Sequence, residues 1–565
     1  MPSISYNLGK LQHAVDATTA SFSSKNIIEK LWQKDYTIWR SEEVHRKSIL
    51  NRLGWLHSID LMKDNIQHLQ SFADEIKNAG FTHVIVLGMG GSSLCPDVCR
   101  ATFGSAKGYP QLFVLDSTSP TSVLRIEKSI NIATSLFIVA SKSGGTTETN
   151  MFYQYFYDRV GTVKPNPGKN FIAVTDANTK MESIAKEKKF RKIFLNPEDI
   201  GGRYSALSYF GLVPMALIGM DLQKILSSAD LMRQQSKNAG VKNSAAQIGI
   251  AMGEAYNVGR DKLTFISPDE IATFGYWAEQ LVAESTGKEG KGIVPIEGEV
   301  VSPYDGKKYG TDRLFLFLLL EKEKEKYSAF QQKLQENNQP YITITIKDIY
   351  ELGSQFFLWE IATAVSAIVL KINPFDEPNV KESKDNTVRV IDEYKTKHVL
   401  PKNPSLVKDR DLTFYAPQYY SQKISATDSI VKILSYHFTG KPASDYIGIL
   451  AYVDQNEVNK KYLYELREMI TQKYGIASTV GFGPRYLHST GQLHKGGKLN
   501  GTFLLITADE TTDIKIPGEV FSFEVLKNAQ ALGDYQSIAS RNLKLLHLHI
   551  SGNIGEGLKK LLQSL

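Results

Sequence analysis

The sequence predicts an α/β protein with two doubly wound, mostly parallel sheets, helices before them and an α/β extension after them. Three observations lead there. Short apolar runs alternate with helical patterns from residue 83 onward, the mark of parallel strands covered on both faces. The alternation occurs twice, and 565 residues are too many for one hydrophobic core. Glycine-rich segments follow two of the strand runs and open helices.

The elements follow in order. Ile27–Trp39 and His57–Ile76 carry apolar residues at helical spacing, so residues 1–50 read as an N-terminal helical segment. A first α/β domain, 51–235, has strand runs at His83–Leu87, Leu112–Asp116, Leu136–Ala140, Phe171–Asp176 and Lys192–Leu195. A second, 236–400, has Leu263–Ser267, Leu314–Leu319, Tyr341–Ile346 and a long apolar helix at Ile349–Leu370. The extension, 401–565, has Tyr446–Tyr452, Thr502–Thr507 and Leu543–Ile550, and is expected to complete the second domain and supply a histidine. Lys384–Ala426 reads as an irregular polar crossover. Glu321–Lys326, alternating Glu and Lys, reads as a solvated face.

Composition narrows the function classes. A hydrophobic share of 42% and a charged share of 22% are ordinary for a globular chain. The net charge of +6 suits a small anionic substrate but not nucleic acid, which needs a basic stripe. Cys95 and Cys99 are the only cysteines, which excludes a disulfide scaffold and leaves a four-ligand zinc site short of ligands. No signal-peptide core and no apolar run of about 18 residues occurs, so no membrane span is expected and a reducing, cytoplasmic location is the default.

Four segments carry chemistry. Gly88-Met89-Gly90-Gly91-Ser92-Ser93 follows a strand and opens a helix. It lacks the third glycine of a dinucleotide fingerprint and reads equally as a turn or a binding loop. Ser141-Lys142-Ser143-Gly144-Gly145-Thr146-Thr147-Glu148-Thr149 gathers short hydroxyl donors at a helix start, as a phosphate requires, though a Ser/Thr-rich capped turn has the same composition. It is not a Walker sequence, because Lys142 precedes the glycines. Gly201-Gly202-Arg203-Tyr204-Ser205 holds a guanidinium after two glycines, suited to a developing oxyanion or simply a surface arginine. Gln280 and Glu284 lie one helical turn apart among apolar residues, where a carboxylate is pushed toward neutrality and can act as a base. The alternative is a solvent-facing Glu.

Together these segments resemble the motif set of the phosphoglucose isomerases, of the sugar-isomerase (SIS) domain superfamily, in the same order over about residues 50–400. The resemblance implies two SIS domains and metal-free, cofactor-free interconversion of glucose 6-phosphate and fructose 6-phosphate. It implies that Ser141, Lys142, Ser143 and Thr146 bind the phosphate and that Gly91 and Ser92 lie near the sugar. Gln280 would orient the substrate, Arg203 stabilise the enediolate, and Glu284 move the proton between C2 and C1. Asn373–Lys384 is similar to the segment whose lysine assists ring opening, which points to Lys384, although Glu377 stands where the family has Gln.

The histidine departs from the pattern. The family's Gly-Thr-x-x-x-His segment is matched here by Gly310–Phe315, and Phe315 cannot transfer a proton. Thr490 precedes His494 by the family's spacing, so His494 is the expected ring-opening histidine, with His488 as the alternative. His547 and His549 share a strand face and read as core or edge residues. This arrangement resembles the isomerase half of bifunctional transaldolase–isomerase fusions, but the N-terminal residues cannot supply a transaldolase barrel. The expected partner is a small sugar phosphate, not nucleic acid or membrane. Family analogy implies a homodimer. Two other readings share the motifs: an isomerase also accepting mannose 6-phosphate, and a non-catalytic sugar-phosphate sensor.

Overall fold

The computed structural model describes residues 2–300, 309–424, 429–439 and 445–565. Its strands are β1 (Ser3–Asn7), β2 (His83–Gly88), β3 (Gln111–Leu115), β4 (Ser135–Ala140), β5 (Phe171–Asp176), β6 (Lys192–Asn196), β7 (Lys262–Ile266) and β8 (Val294–Ile296). They continue with β9 (Arg313–Leu320), β10 (Tyr341–Ile346), β11 (Ser405–Asp409), β12 (Leu412–Tyr415), β13 (Tyr446–Tyr452), β14 (Ala477–Phe482), β15 (Gly501–Ala508) and β16 (Lys544–Ile550).

These strands form three sheets. The first runs β3-β2-β4-β5-β6, the second β8-β7-β9-β10-β1 and the third β14-β13-β15-β16-β12-β11. Four consecutive strands in each sheet, β2–β5, β7–β10 and β13–β16, stand in the same spatial order: second, first, third, fourth. All their pairings are parallel. In a sheet so ordered the chain leaves the first strand toward one edge and returns for the third toward the other, which opens a crevice at the carboxyl ends of those two strands.

Sequence expectations for the central strands hold, because β2, β4, β5, β7 and β9 are mostly apolar and almost wholly buried, with their polar residues chiefly at the strand ends. Three expectations need correction. The N-terminal segment begins with a strand, β1, antiparallel to β10 at the edge of the second sheet. The polar stretch after Lys384 is not irregular: a helix, Pro378–Lys397, runs through it, followed by β11 and β12, while residues 425 and 426 lie outside the described residues. Its buried positions, Val380, Ser383, Thr387, Val390 and Ile391, keep helical spacing, but two are hydroxyl residues, which hid the stripe. The extension does not add strands to the second sheet. Its strands pair only with one another.

The helix Leu352–Leu370 is long and apolar enough to cross a bilayer, yet it is buried among the helices Leu222–Gln235, Ser244–Asn257 and Phe274–Thr286. Charged contacts fasten the third sheet to the first. Arg485, after β14, reaches Asp97 at 3.0 Å and Asp116 at 3.4 Å. Glu510, after β15, accepts from Ser119 at 2.8 Å and Thr121 at 2.7 Å. Asp454, after β13, pairs with Arg125 at 3.0 Å.

Because Arg485 is buried between two carboxylates, Arg485→Ala is expected to cost about 3–5 kcal/mol by leaving them uncompensated. Arg100→Ala, which leaves Arg485 on Asp97, is expected to cost far less. Thermal unfolding of the two variants compares them directly.

Candidate functional site

A cleft with converging polar groups has a volume of about 640 Å³. It lies at the carboxyl ends of the first sheet, where the crevice between β2 and β4 is expected. Four loops of that sheet line it: Gly90–Ser92 after β2, Lys142–Thr146 after β4, Asp176–Thr179 after β5 and Gly201–Tyr204 after β6. The second sheet adds Gln280 and Glu284 from the helix Phe274–Thr286. Phe375 and Glu377 come from the turn after Leu352–Leu370, and His488 comes from the third sheet.

Two glycines make this convergence possible. A Cβ on Gly91 would sit 1.9 Å from the Gly202 carbonyl oxygen, so the loops after β2 and β6 touch only because residue 91 has no side chain. Gly90 has φ +54°, and a Cβ there would lie 2.8 Å from Gln280 Nε2 and 2.9 Å from the His488 carbonyl oxygen.

The hydroxyl loop folds as an anion cradle would. Ser143 and Thr146 line the cleft at the start of the helix Thr147–Gly161, whose free N–H groups and dipole favour negative charge. Ser141 does not line it. That side chain is buried one level below, sharing a hydrogen bond of 3.0 Å with Thr146 Oγ1. Lys142 lines the cleft, but its ammonium is engaged by the Asp176 carboxylate and donates to the Glu198 carbonyl oxygen at 2.7 Å.

Arg203 is buried and fixed on all sides. It donates through Nε to Ser285 Oγ at 2.9 Å and through Nη2 to the carbonyl oxygens of Pro374 (2.6 Å) and Asp376 (3.0 Å). Its Nη1 stands 3.4 Å from Glu284 Oε1 and 3.1 Å from Glu377 Oε2. Lys288 holds the same turn by pairing with Asp376 at 2.9 Å, and its burial lowers the ammonium pKa to about 8 despite that partner. Glu284 is buried too. Gln280 Nε2 donates to Glu284 Oε2 at 3.2 Å and to the His488 carbonyl oxygen at 2.7 Å. Burial raises the Glu284 pKa above the usual carboxylate range, Arg203 opposes that rise, and Glu377 reinforces it.

The histidine expectation is corrected. His494 does not line the cleft. The short helix Gly491–Gly496 turns it into the core of the third sheet, where Nδ1 meets the Tyr446 hydroxyl at 2.8 Å and the ring packs on Phe503. Burial pushes its pKa down to about 3, so it stays neutral. His488 lines the cleft instead, one ring nitrogen 3.0 Å from Glu148 Oε1. Lys384 is exposed and lines a smaller adjoining cleft that shares Thr146 and His488 with the main one. Phe315 is buried in β9, away from both. His547 and His549 both meet Thr507 Oγ1 on the third sheet. Sequence reading gave Glu148 and Gln530 no role. Among the described residues, no group of three or more His, Cys, Asp or Glu is placed to hold a metal ion.

The comparisons with known proteins agree with this geometry. A family model described as phosphoglucose isomerase matches residues 56–306. A relative from Mycoplasmopsis pulmonis named glucose-6-phosphate isomerase is 28% identical over 390 residues, covering 60% of this chain and 90% of the relative. One of the same name from Methanocaldococcus jannaschii is 28% identical over 348 residues, covering 55% and 85%. Over residues 56–306 the chain is similar to the phosphoglucose isomerase family. A crystal structure of a glucose-6-phosphate isomerase from Chlamydia trachomatis shares the fold, with a TM-score of 0.58 at 18% identity over 69% of this chain and 88% of that one. The segment matched by the phosphoglucose isomerase model contains the first sheet, Arg203 and Glu284, while the third sheet and His488 lie beyond it.

A pH prediction follows. A general base must be ionised to act, so with Glu284 in that role its raised pKa moves the acidic limb of the activity profile to higher pH than an ordinary carboxylate gives. Arg203→Gln removes the charge that opposes the rise, so the limb is expected to move to higher pH while kcat falls about 10²–10³-fold. The pH dependence of kcat/KM measures both.

Proposed function

We propose that this protein interconverts glucose 6-phosphate and fructose 6-phosphate through an enediol intermediate. The single observation that carries this reading is that Glu284 opens into the same cleft as the Ser143 and Thr146 hydroxyls. A base and an anion cradle facing one cavity can hold a sugar phosphate by one end and act on its other end.

The chemistry runs as follows. The phosphate accepts hydrogen bonds from Ser143 and Thr146 at the start of the helix Thr147–Gly161. His488 and Lys384 exchange protons with the ring oxygen and the anomeric hydroxyl, which opens the ring. Glu284 takes the proton from C2 of the open aldose, electrons move onto the carbonyl oxygen at C1, and Arg203 stabilises the resulting enediolate. The O2 hydroxyl proton passes to O1, Glu284 returns its proton to C1, and the carbonyl forms at C2. Gln280 Oε1 is buried without a partner among the described residues, so it is available to accept from a sugar hydroxyl.

This chain's own His488 reaches the cleft that holds Glu284, which supports a histidine acting in cis. A homodimer and a cytoplasmic location complete the proposal. Two buried, unpaired thiols, Cys95 and Cys99, accord with a reducing compartment.

Glu284→Gln is expected to lower turnover at least 10²–10⁴-fold with sugar-phosphate binding retained. Exchange of C2 deuterium with solvent should cease in parallel. Turnover at the wild-type level in a folded variant would refute the base assignment. His488→Ala is expected to impair ring-form turnover more than His494→Ala, whose effect should be confined to thermal stability. Steady-state kinetics beside thermal unfolding separates the two.

A further inference from the structure

We propose that Gln530 is a positioning residue for proton transfer by His488, acting through Glu148. The inference rests on the isomerase reading above. His488 Nε2 and Gln530 Nε2 meet one oxygen, Glu148 Oε1, at 3.0 and 2.7 Å. Gln530 Oε1 accepts in turn from Thr118 Oγ1 at 2.7 Å. Thr118, Glu148 and Gln530 are 0%, 5% and 3% exposed, so water does not compete for these bonds. The chain of contacts crosses between sheets: Thr118 follows β3 and Glu148 opens the helix after β4, whereas Gln530 and His488 belong to the third.

The residue types fit that task. A hydroxyl that donates to Gln530 Oε1 fixes which way the amide faces, so its NH₂ must face the carboxylate. The carboxylate oxygen is then held by two donors and cannot rotate away from the imidazole. Burial acts to raise the Glu148 pKa, but His488, a backbone hydrogen bond and the Lys384 charge together outweigh it and hold the carboxyl below its ordinary value. With Nε2–H pinned on Glu148, Nδ1 is the nitrogen left to exchange a proton.

Gln530 is not needed to hold its own helix, Phe523–Ala539. Gly533 packs against Thr387 so closely that a Cβ would lie 2.7 Å from its Oγ1. Asp534 binds Lys495 and Tyr486, each at 2.6 Å. Gln530 instead borders the small cleft shared by Lys384, His488 and Thr146.

The test compares fructose 6-phosphate, which must open, with 5-deoxyfructose 6-phosphate, which has no hydroxyl able to close a ring. For Gln530→Met we expect kcat on fructose 6-phosphate to fall about tenfold, a fraction of what a positioned acid–base group supplies. We expect KM, and kcat on the open-chain analogue, to stay within about twofold. Thr118→Val, which deletes only the hydroxyl that orients the amide, should give the same pattern at about threefold. Equal losses on both substrates, or ring turnover unchanged in both variants, would overturn the proposal. A wild-type protein that turns over neither substrate refutes the isomerase reading itself, a result distinct from an active protein indifferent to residues 118 and 530.

Discussion

The site depends on one buried ion pair, Arg203 with Glu284. A guanidinium enclosed by protein is tolerable only when its donors are satisfied and its charge is met. Here Nε and Nη2 are taken by Ser285, Pro374 and Asp376, so only the Nη1 side is left to face carboxylates. Glu284 and Glu377 both approach it there. That single rigid cation ties the loop after β6 to the helix Phe274–Thr286 and to the turn at Phe375–Glu377. It also keeps Glu284 from drifting too far toward permanent protonation, leaving a carboxyl raised by burial yet able to act as a base.

The repeated strand order explains how three sheets can serve one cleft. The first sheet presents loops at the carboxyl ends of its parallel strands, and the site is built where a helix and a turn of the second sheet and a loop of the third meet them. The first sheet contributes backbone and hydroxyls suited to an anion. The second contributes the carboxylate and the amide beside it. The third contributes a histidine from the loop after β14. Its remaining edge loops carry Asp454 and Glu510, which grip the helix Pro120–Ser129 and its N-terminal Ser119 rather than a ligand. The edge that lines the cleft in the first sheet is, in the third, largely an attachment surface that holds His488 at the cleft.

What the sequence made legible follows from how locally each signal is encoded. Loops after β2 and β4 were readable because glycine and hydroxyl clusters sit directly between an apolar strand and a helix. Gln280 and Glu284 were readable because one helical turn separates them. The histidine was not. His488 and His494 lie in one short segment, and Thr-x-x-x-His spacing does not say which side of a turn faces the core. Glu148 stood inside the quoted phosphate loop without a role, since its partner lies 340 residues away. Among strands, β14 was missed because Ala477–Phe482 interrupts its apolar residues with Ser, Thr and Gly, and β8 because it spans only three residues. The helix Pro378–Lys397 was missed because a buried serine and threonine broke its apolar stripe. In each case tertiary packing supplied what local composition lacked.

The central claim is that one cleft holds the phosphate end of a sugar at the first sheet and its C1–C2 end at Glu284. A crystal structure of Glu284→Gln with fructose 6-phosphate bound tests it most directly. The account predicts phosphate oxygens on the Ser143 and Thr146 hydroxyls, C1 and C2 within about 3–3.5 Å of the residue 284 amide, and the imidazole of His488 at the ring oxygen. Phosphate bound outside the Lys142–Thr146 loop, or a sugar chain pointing away from residue 284, would contradict it.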